Sequence, residues 1–284
     1  MSESRKGALA CITMDVEPDF VSYSVSSNCP RYYGLFDEPG YFERFCNTIT
    51  RHQVRLTCYV VGSVLRDRAD YVRELAKIGA EFGCHSLTHD LAAQETESEV
   101  RGGIDGFTDF FGYSPQGYRS PFFILRPITL ETLDRQGVRY DSSFMPSIRP
   151  GLYSSLNGQM LPFRWQGFSL VELPLAVVPR VRVPIALSYM KALGKTTYSI
   201  LRRVSDFPDP LVTFFHPMNL IYSPAAYERL PLRWKLANAR NRWRGLEMLE
   251  QFLTFIEDSG YQFAFMSEVY EHFLNTPQPI VPLH

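Results

Sequence analysis

Apolar and polar positions divide the chain into short, evenly spaced segments. Residues 8–15 are almost wholly apolar until Asp15, which predicts a buried strand. Residues 41–52 predict a helix, and the β-branched and aromatic run 54–62 (VRLTCYVVG) predicts a strand. Residues 69–78 carry apolar side chains at helical spacing and stop at Gly79. A short strand at 80–85 follows, then a helix at 95–111 with Gly102 and Gly103 as its weak point. Strands at 117–120 and 138–141 flank a helix at 128–136. Residues 147–184 contain Pro150, Pro162, Pro174, Pro179 and Pro184 and predict hairpins and loops, with a strand at 169–175. Residues 184–203 are partly helical, 211–216 (LVTFFH) predict a strand, and 232–259 a helix ending at Gly260. A last strand at 261–265 precedes Ser267, read as the N-cap of a closing helix.

Alternating β and α units imply parallel strands joined by helical crossovers. With no long linker and no repeat, one irregular (β/α) barrel over residues 8–274 is expected. A polar segment (1–7) precedes it and a Pro-containing tail (275–284) follows. Composition agrees: 45% apolar and 21% charged residues are core-forming, not disordered. A net charge of -1 argues against a general nucleic-acid binder. Cys11, Cys29, Cys46, Cys58 and Cys84 form no close pair and are read as reduced thiols. With no run of about 18 apolar residues and no signal-like leader, a cytoplasmic protein is expected.

Functional residues of such a fold gather at the C-terminal ends of its strands. Those ends read Asp15-Val16-Glu17, His85-Ser86-Leu87-Thr88-His89, Arg119-Ser120-Pro121-Phe122, Asp141-Ser142-Ser143 and His216-Pro217. His85, His89 and His216 lie there, whereas His52, His272 and His284 do not. On one helical turn, His85 and His89 would face the same way and grip one metal ion, although the same spacing also suits a helix face or cap. Asp15 and Glu17 would share one side of an extended strand, one binding metal and the other taking a proton from water. A pair of loop carboxylates capping a helix is the other reading.

Taken together, these motifs resemble the polysaccharide deacetylases of the NodB homology domain, carbohydrate esterase family four. His85, Ser86 and His89 match its H-[ST]-x-x-H motif, and Arg119–Phe122 its R-x-P-x motif. Phe214-Phe215-His216 stands where L-x-H is usual, and Thr13-Met14-Asp15-Val16-Glu17 replaces TFDDG. The last substitution resembles a DVE branch associated with exopolysaccharide genes. The resemblance implies a distorted (β/α)7 barrel. It implies that Asp15 is the base, paired with Arg119, and that Glu17, His85 and His89 hold a divalent metal, zinc first, with cobalt, nickel or iron as alternatives. It further implies that Phe122 N–H, beside Pro121, steadies the oxyanion and that His216 is the general acid. Glu172, charged within an apolar strand, is the candidate partner orienting His216, with Asp141 second.

The expected reaction is removal of an N-acetyl group from an amino sugar of an intracellular glycan precursor, lipid-linked sugar or glycosylated metabolite. Deformylation of a lipid-linked amino sugar is an alternative, and a catalytically silent carbohydrate-binding relative is another. Residues 229–244 interleave Arg229, Arg233, Lys235, Arg240, Arg242 and Arg244 with Trp234 and Trp243, without an acidic residue. That pattern suits contact with an inner-membrane surface or simply a solvated basic face.

Overall fold

The computed structural model describes residues 7–19, 33–93, 96–149, 153–228 and 230–283. Cys29 and Arg229 fall outside these, as do the side chains of Arg233 and Trp234.

Strands β1 (Ala8–Val16), β2 (Leu56–Val60), β3 (Glu81–Cys84), β4 (Gly117–Tyr118) and β5 (Tyr140–Asp141) pair in sequence order, all parallel. The Val171–Glu172 strand continues the sheet beyond β5, and the Leu211–Phe215 strand flanks β1 on its other side. These seven parallel strands curl toward closure. The chain just after Glu172 runs beside Leu211–Phe215, where Ala176 N–H donates to Val212 O at 2.7 Å. Helices Tyr41–Arg51, Ala69–Lys77, Glu97–Phe111, Pro127–Arg135 and Gly245–Asp258 cover the outside.

Alternation along β1 sorts its side chains. Ala10, Ile12, Met14 and Val16 join the core between sheet and helices, whereas Cys11 joins the interior cluster. Thr13 and Asp15 share the phase of Cys11 and so face the interior. The Met266–Leu274 helix closes the far end: Met266 N–H donates to Thr57 Oγ1 at 3.1 Å, and Met266, Val269 and Tyr270 enter the interior cluster. Burial pushes the Cys11 and Cys58 thiols well above their ordinary range and Cys84 up to about 12, so these are inert core groups.

The structure departs from the sequence pattern in three places. Ser267 is not the N-cap of the closing helix; Phe265 is, and the Glu268 carboxylate accepts the Phe265 N–H at 2.8 Å. Residues 232–259 are not one helix. Leu232–Ala237 and Gly245–Asp258 are separated by a turn at Asn241, whose φ of 55° leaves the helical region. Gly245 sits so close to Leu220 that an added Cβ would lie 2.3 Å from its carbonyl carbon. The tail is not a loose end: Ile280–Val281 pairs in parallel with Arg164 and Trp165.

Candidate active site

Register brings the sequence motifs to one end of the barrel. Asp15 pairs with Tyr59, Val60 with Cys84, Cys84 with Tyr118, Tyr118 with Asp141, and Asp141 with Glu172. The segment after each of these strands opens at the same rim.

Arg119 follows β4 and is fully buried. Its Nη1 donates to Asp15 Oδ1 at 2.7 Å and Thr13 Oγ1 at 2.6 Å. Its Nε donates to Ser142 O and its Nη2 to Ser142 Oγ, both at 3.0 Å. Its guanidinium also lies 4.1 Å from the centre of the Tyr59 ring. A planar cation with this many fixed partners holds the Asp15 carboxyl in one orientation. The other oxygen, Asp15 Oδ2, is buried with no hydrogen-bond partner and has His216 Nε2 3.8 Å away.

Glu17 is gripped by imidazoles. Its Oε2 lies 2.5 Å from His89 Nε2 and 3.8 Å from His85 Nε2, and its Oε1 lies 3.6 Å from His216 Nε2. Burial works to raise its pKa, but His89, His216 and His85 outweigh it and hold the carboxyl well below the usual range. One ligand atom each from Glu17, His85 and His89 lie within 4.8 Å of one another. His85 Nδ1 donates to Arg119 O at 2.7 Å, which leaves its Nε2 lone pair facing the carboxylate. Two imidazoles and one carboxylate, one ring fixed from behind, suit a divalent ion with open positions. Burial lowers the pKa of His216, although Glu17 and Asp15 oppose this.

His85 and His89 do not share a helical turn. They lie on an irregular loop in which Ser86 (φ 67°) and His89 (φ 62°) take left-handed conformations. The loop is anchored by a residue that sequence reasoning missed. Buried Glu99 Oε1 accepts Ser86 Oγ at 2.8 Å, Thr88 N–H at 2.6 Å and Thr88 Oγ1 at 3.0 Å. The adjoining helix approaches closely because Gly103 has no side chain: a Cβ there would sit 2.6 Å from the Ser86 carbonyl carbon. What reads as a weak point in the helix is the seat of the histidine loop. Phe122 (φ 59°) and Phe123 (φ 58°) are likewise left-handed, and the Phe122 ring lies 4.6 Å from that of His89.

Glu172 is not brought to His216. Its Oε1 accepts Ser143 N–H at 3.2 Å and Phe144 N–H at 2.9 Å, and its Oε2 accepts Trp165 Nε1 at 3.3 Å. Strand register turns it to Asp141 instead. Residues 229–244 are also more committed than their charge suggests. Arg240 donates to Ala192 O and Leu193 O, Arg244 bonds Glu247, and Arg242 lies over the rings of Tyr222, Tyr227 and Trp243. Leu232, Leu236 and Trp243 remain exposed. No helix among the described residues is long and apolar enough to cross a membrane.

The sequence profile of the polysaccharide deacetylase family matches residues 24–140, a span that includes His85, His89 and Arg119. Over that span the chain is similar to the family. A peptidoglycan deacetylase from Helicobacter pylori is 24% identical over 116 residues, covering 39% of this chain and 40% of the relative. The chain is thus matched to well under half of that relative's length. The fold is shared with a candidate polysaccharide deacetylase from Mycobacterium smegmatis at TM-score 0.62 and 18% identity, covering 100% of this chain and 96% of the other. It is also shared with a carbohydrate esterase family four pseudoenzyme from Bacillus anthracis at TM-score 0.52 and 11% identity, covering 99% and 71%.

Proposed function

We propose that this deacetylase-family chain hydrolyses the N-acetyl group of an amino sugar with the help of a divalent metal. The observation that carries the reading is Asp15. One of its oxygens is locked by Arg119, while the other is unbonded beside His216 and the Glu17–His85–His89 cluster. Glu17, His85 and His89 would hold a divalent metal, which would supply Lewis-acid polarisation of an acyl carbonyl. Asp15 Oδ2 takes the proton of the attacking water, because Arg119 engages the other oxygen and leaves this one open. The backbone N–H of Phe122 steadies the oxyanion that develops on the carbonyl oxygen as the acyl carbon is attacked. His216 Nε2, facing both carboxylates, delivers a proton to the departing amine. In this chemistry Glu172 touches no reacting group.

The finer reading of the substrate is an acylated amino sugar of a glycan precursor, a lipid-linked sugar or a glycosylated metabolite. A cleft of about 940 Å³, lined in part by Phe123, Phe144, Tyr153, Gln159 and Trp165, begins at Phe123, the residue after Phe122, and is the candidate place for the remainder of such a molecule. A pseudoenzyme in the same fold makes a silent relative the reading to exclude. Against it stands the completeness of the set: Asp15, Arg119, His216 and all three ligands occupy one rim.

The test is elemental analysis of purified protein, followed by assays of acetate and formate release. The panel comprises N-acetylglucosamine oligomers, N-acyl nucleotide sugars and lipid-linked N-acyl sugars. Stoichiometric divalent metal lost in His85→Ala and His89→Ala, with acetate release abolished in Asp15→Asn, is the expected result. Folded protein that stays metal-free in saturating zinc or cobalt overturns the proposal. Formate release alone favours the deformylase alternative.

A further inference from the structure

Behind the catalytic rim lie two buried carboxyl groups with no cation of their own. Asp141 and Glu172 are both fully buried and pair across neighbouring strands. Asp141 Oδ1 accepts Ser143 Oγ at 2.6 Å, whereas Asp141 Oδ2 is buried and no donor reaches it. Glu172 accepts the N–H groups of Ser143 and Phe144 and the Trp165 indole N–H. Other groups facing the pair are the neutral phenols of Tyr59 and Tyr118 and the guanidinium of Arg119. Arg119 already serves Asp15. Two carboxylates in contact, out of water and sharing no cation, cannot both ionise. A proton on Glu172 gives Asp141 Oδ2 the donor it lacks.

We infer that Asp141 and Glu172 share one proton, and that this acid pair positions the base Asp15 by holding the Ser142–Ser143 turn against Arg119.

The chain of contacts is short. Ser143, fixed by both carboxyls, accepts Ser120 N–H through its Oγ at 2.7 Å, tying the turn to the Arg119-Ser120-Pro121 segment. Ser142 receives Arg119 at its carbonyl and at its Oγ, and that Oγ donates to Leu173 O at 2.9 Å. Arg119 then reaches Asp15 with its remaining nitrogen. Geometry and electrostatics agree on the shared proton. Burial, with the Asp141 charge beside it, pushes Glu172 well above the usual carboxylate range, while burial raises Asp141 to about 6. Loss of the proton at high pH would place a second negative charge near Arg119. That charge competes with Asp15 for the guanidinium and repels the partner carboxylate out of the turn. The pair acts through Arg119 and touches no substrate, so both residues are positioning residues.

This inference rests on the deacetylase reading only for its effect on catalysis; the shared proton is tested without substrate. Infrared titration of the metal-loaded protein reads the C=O stretch of protonated carboxylic acids. Beside the band of Asp19, whose carboxyl burial raises to about 8, one such band is expected to persist at pH 7, where exposed carboxyls are ionised, and to vanish in Glu172→Gln and in Asp141→Asn. Absence of the band in the wild type, or its survival in both variants, overturns the inference. If neither variant folds, the presence of a second wild-type band that remains in Asp19→Asn still decides. The second arm is the pH profile of kcat on an N-acetylated amino sugar. Glu172→Gln, which cannot lose its proton, is expected to move the alkaline limb up by at least about 1 pH unit, and Glu172→Ala to lower kcat about 10- to 100-fold with KM little changed. An alkaline limb unmoved in Glu172→Gln refutes the link to Asp15. A protein inactive on every acylated sugar, with its band intact, refutes the deacetylase reading and leaves the pair standing.

Discussion

Replacing Glu99 with alanine tests whether the metal ligands are held from behind. Glu99 makes no contact with Glu17, His85 or His89 among those recorded for the described residues; it acts on the loop between the two histidines. Its Oε1 accepts the Ser86 hydroxyl, the Thr88 amide and the Thr88 hydroxyl. Hydrogen bonds to a charged acceptor contribute about 1.5–3 kcal/mol each. Thr88 is exposed and recovers water in the variant, whereas Ser86 is fully buried and does not. Discounting the Thr88 bonds leaves an expected loss of about 1.5–3 kcal/mol, measured by urea denaturation of the metal-free protein. Because Ser86 and His89 are held in left-handed conformations, the released loop is expected to relax away from them. Zinc affinity, read by competition with a chromophoric chelator, should then weaken about 10- to 100-fold. Glu99→Gln keeps an acceptor oxygen and should fall between. Glu99→Ala protein that is folded, binds zinc like the wild type and unfolds at the same urea concentration would refute the anchoring role.

Gly103→Ala attacks the same loop from the helix, since the new methyl lies 2.6 Å from the Ser86 carbonyl carbon; a loss of about 1–3 kcal/mol with weaker zinc binding is expected from denaturation and chelator competition. Arg119→Lys retains the charge, but one ammonium cannot reach Asp15, Thr13 and both Ser142 atoms, so kcat should drop at least about 100-fold while zinc affinity changes little. His52 joins the Tyr41–Arg51 and Gly245–Asp258 helices through Glu250 and Glu257, each at 2.9 Å; partial burial lowers its pKa, but the two carboxylates outweigh this and raise it. The folded state therefore binds the proton more tightly than the unfolded one. Its contribution is fully present below about pH 6.5 and lost as pH rises through the raised value. The Tm advantage of wild type over His52→Asn should shrink between pH 6 and pH 9; a constant difference would contradict this.

The sequence made much of the site legible because strand periodicity is strict. Asp15 and Glu17 fall at the same rim because alternation along β1 has a period of two, and the R-S-P-F, D-S-S and F-H segments each mark the end of a strand. Spacing fails where a backbone leaves regular structure. The H-S-L-T-H segment reads as a helical turn, yet its histidines converge because Ser86 and His89 adopt left-handed conformations that no pattern of residue types announces. The anchor Glu99 is silent for the same reason, since its partners lie across a loop rather than one turn away. Glu172 shows the remaining limit. A charged side chain inside an apolar strand must have a partner, and that rule held. The choice of partner depended on which strand lies alongside and in which register, and these place Asp141, not His216, opposite it. A buried carboxyl thus signals from the sequence that a compensating group exists, while only pairing across the sheet decides whether that group is a base to be steered or a second acid with which to share a proton.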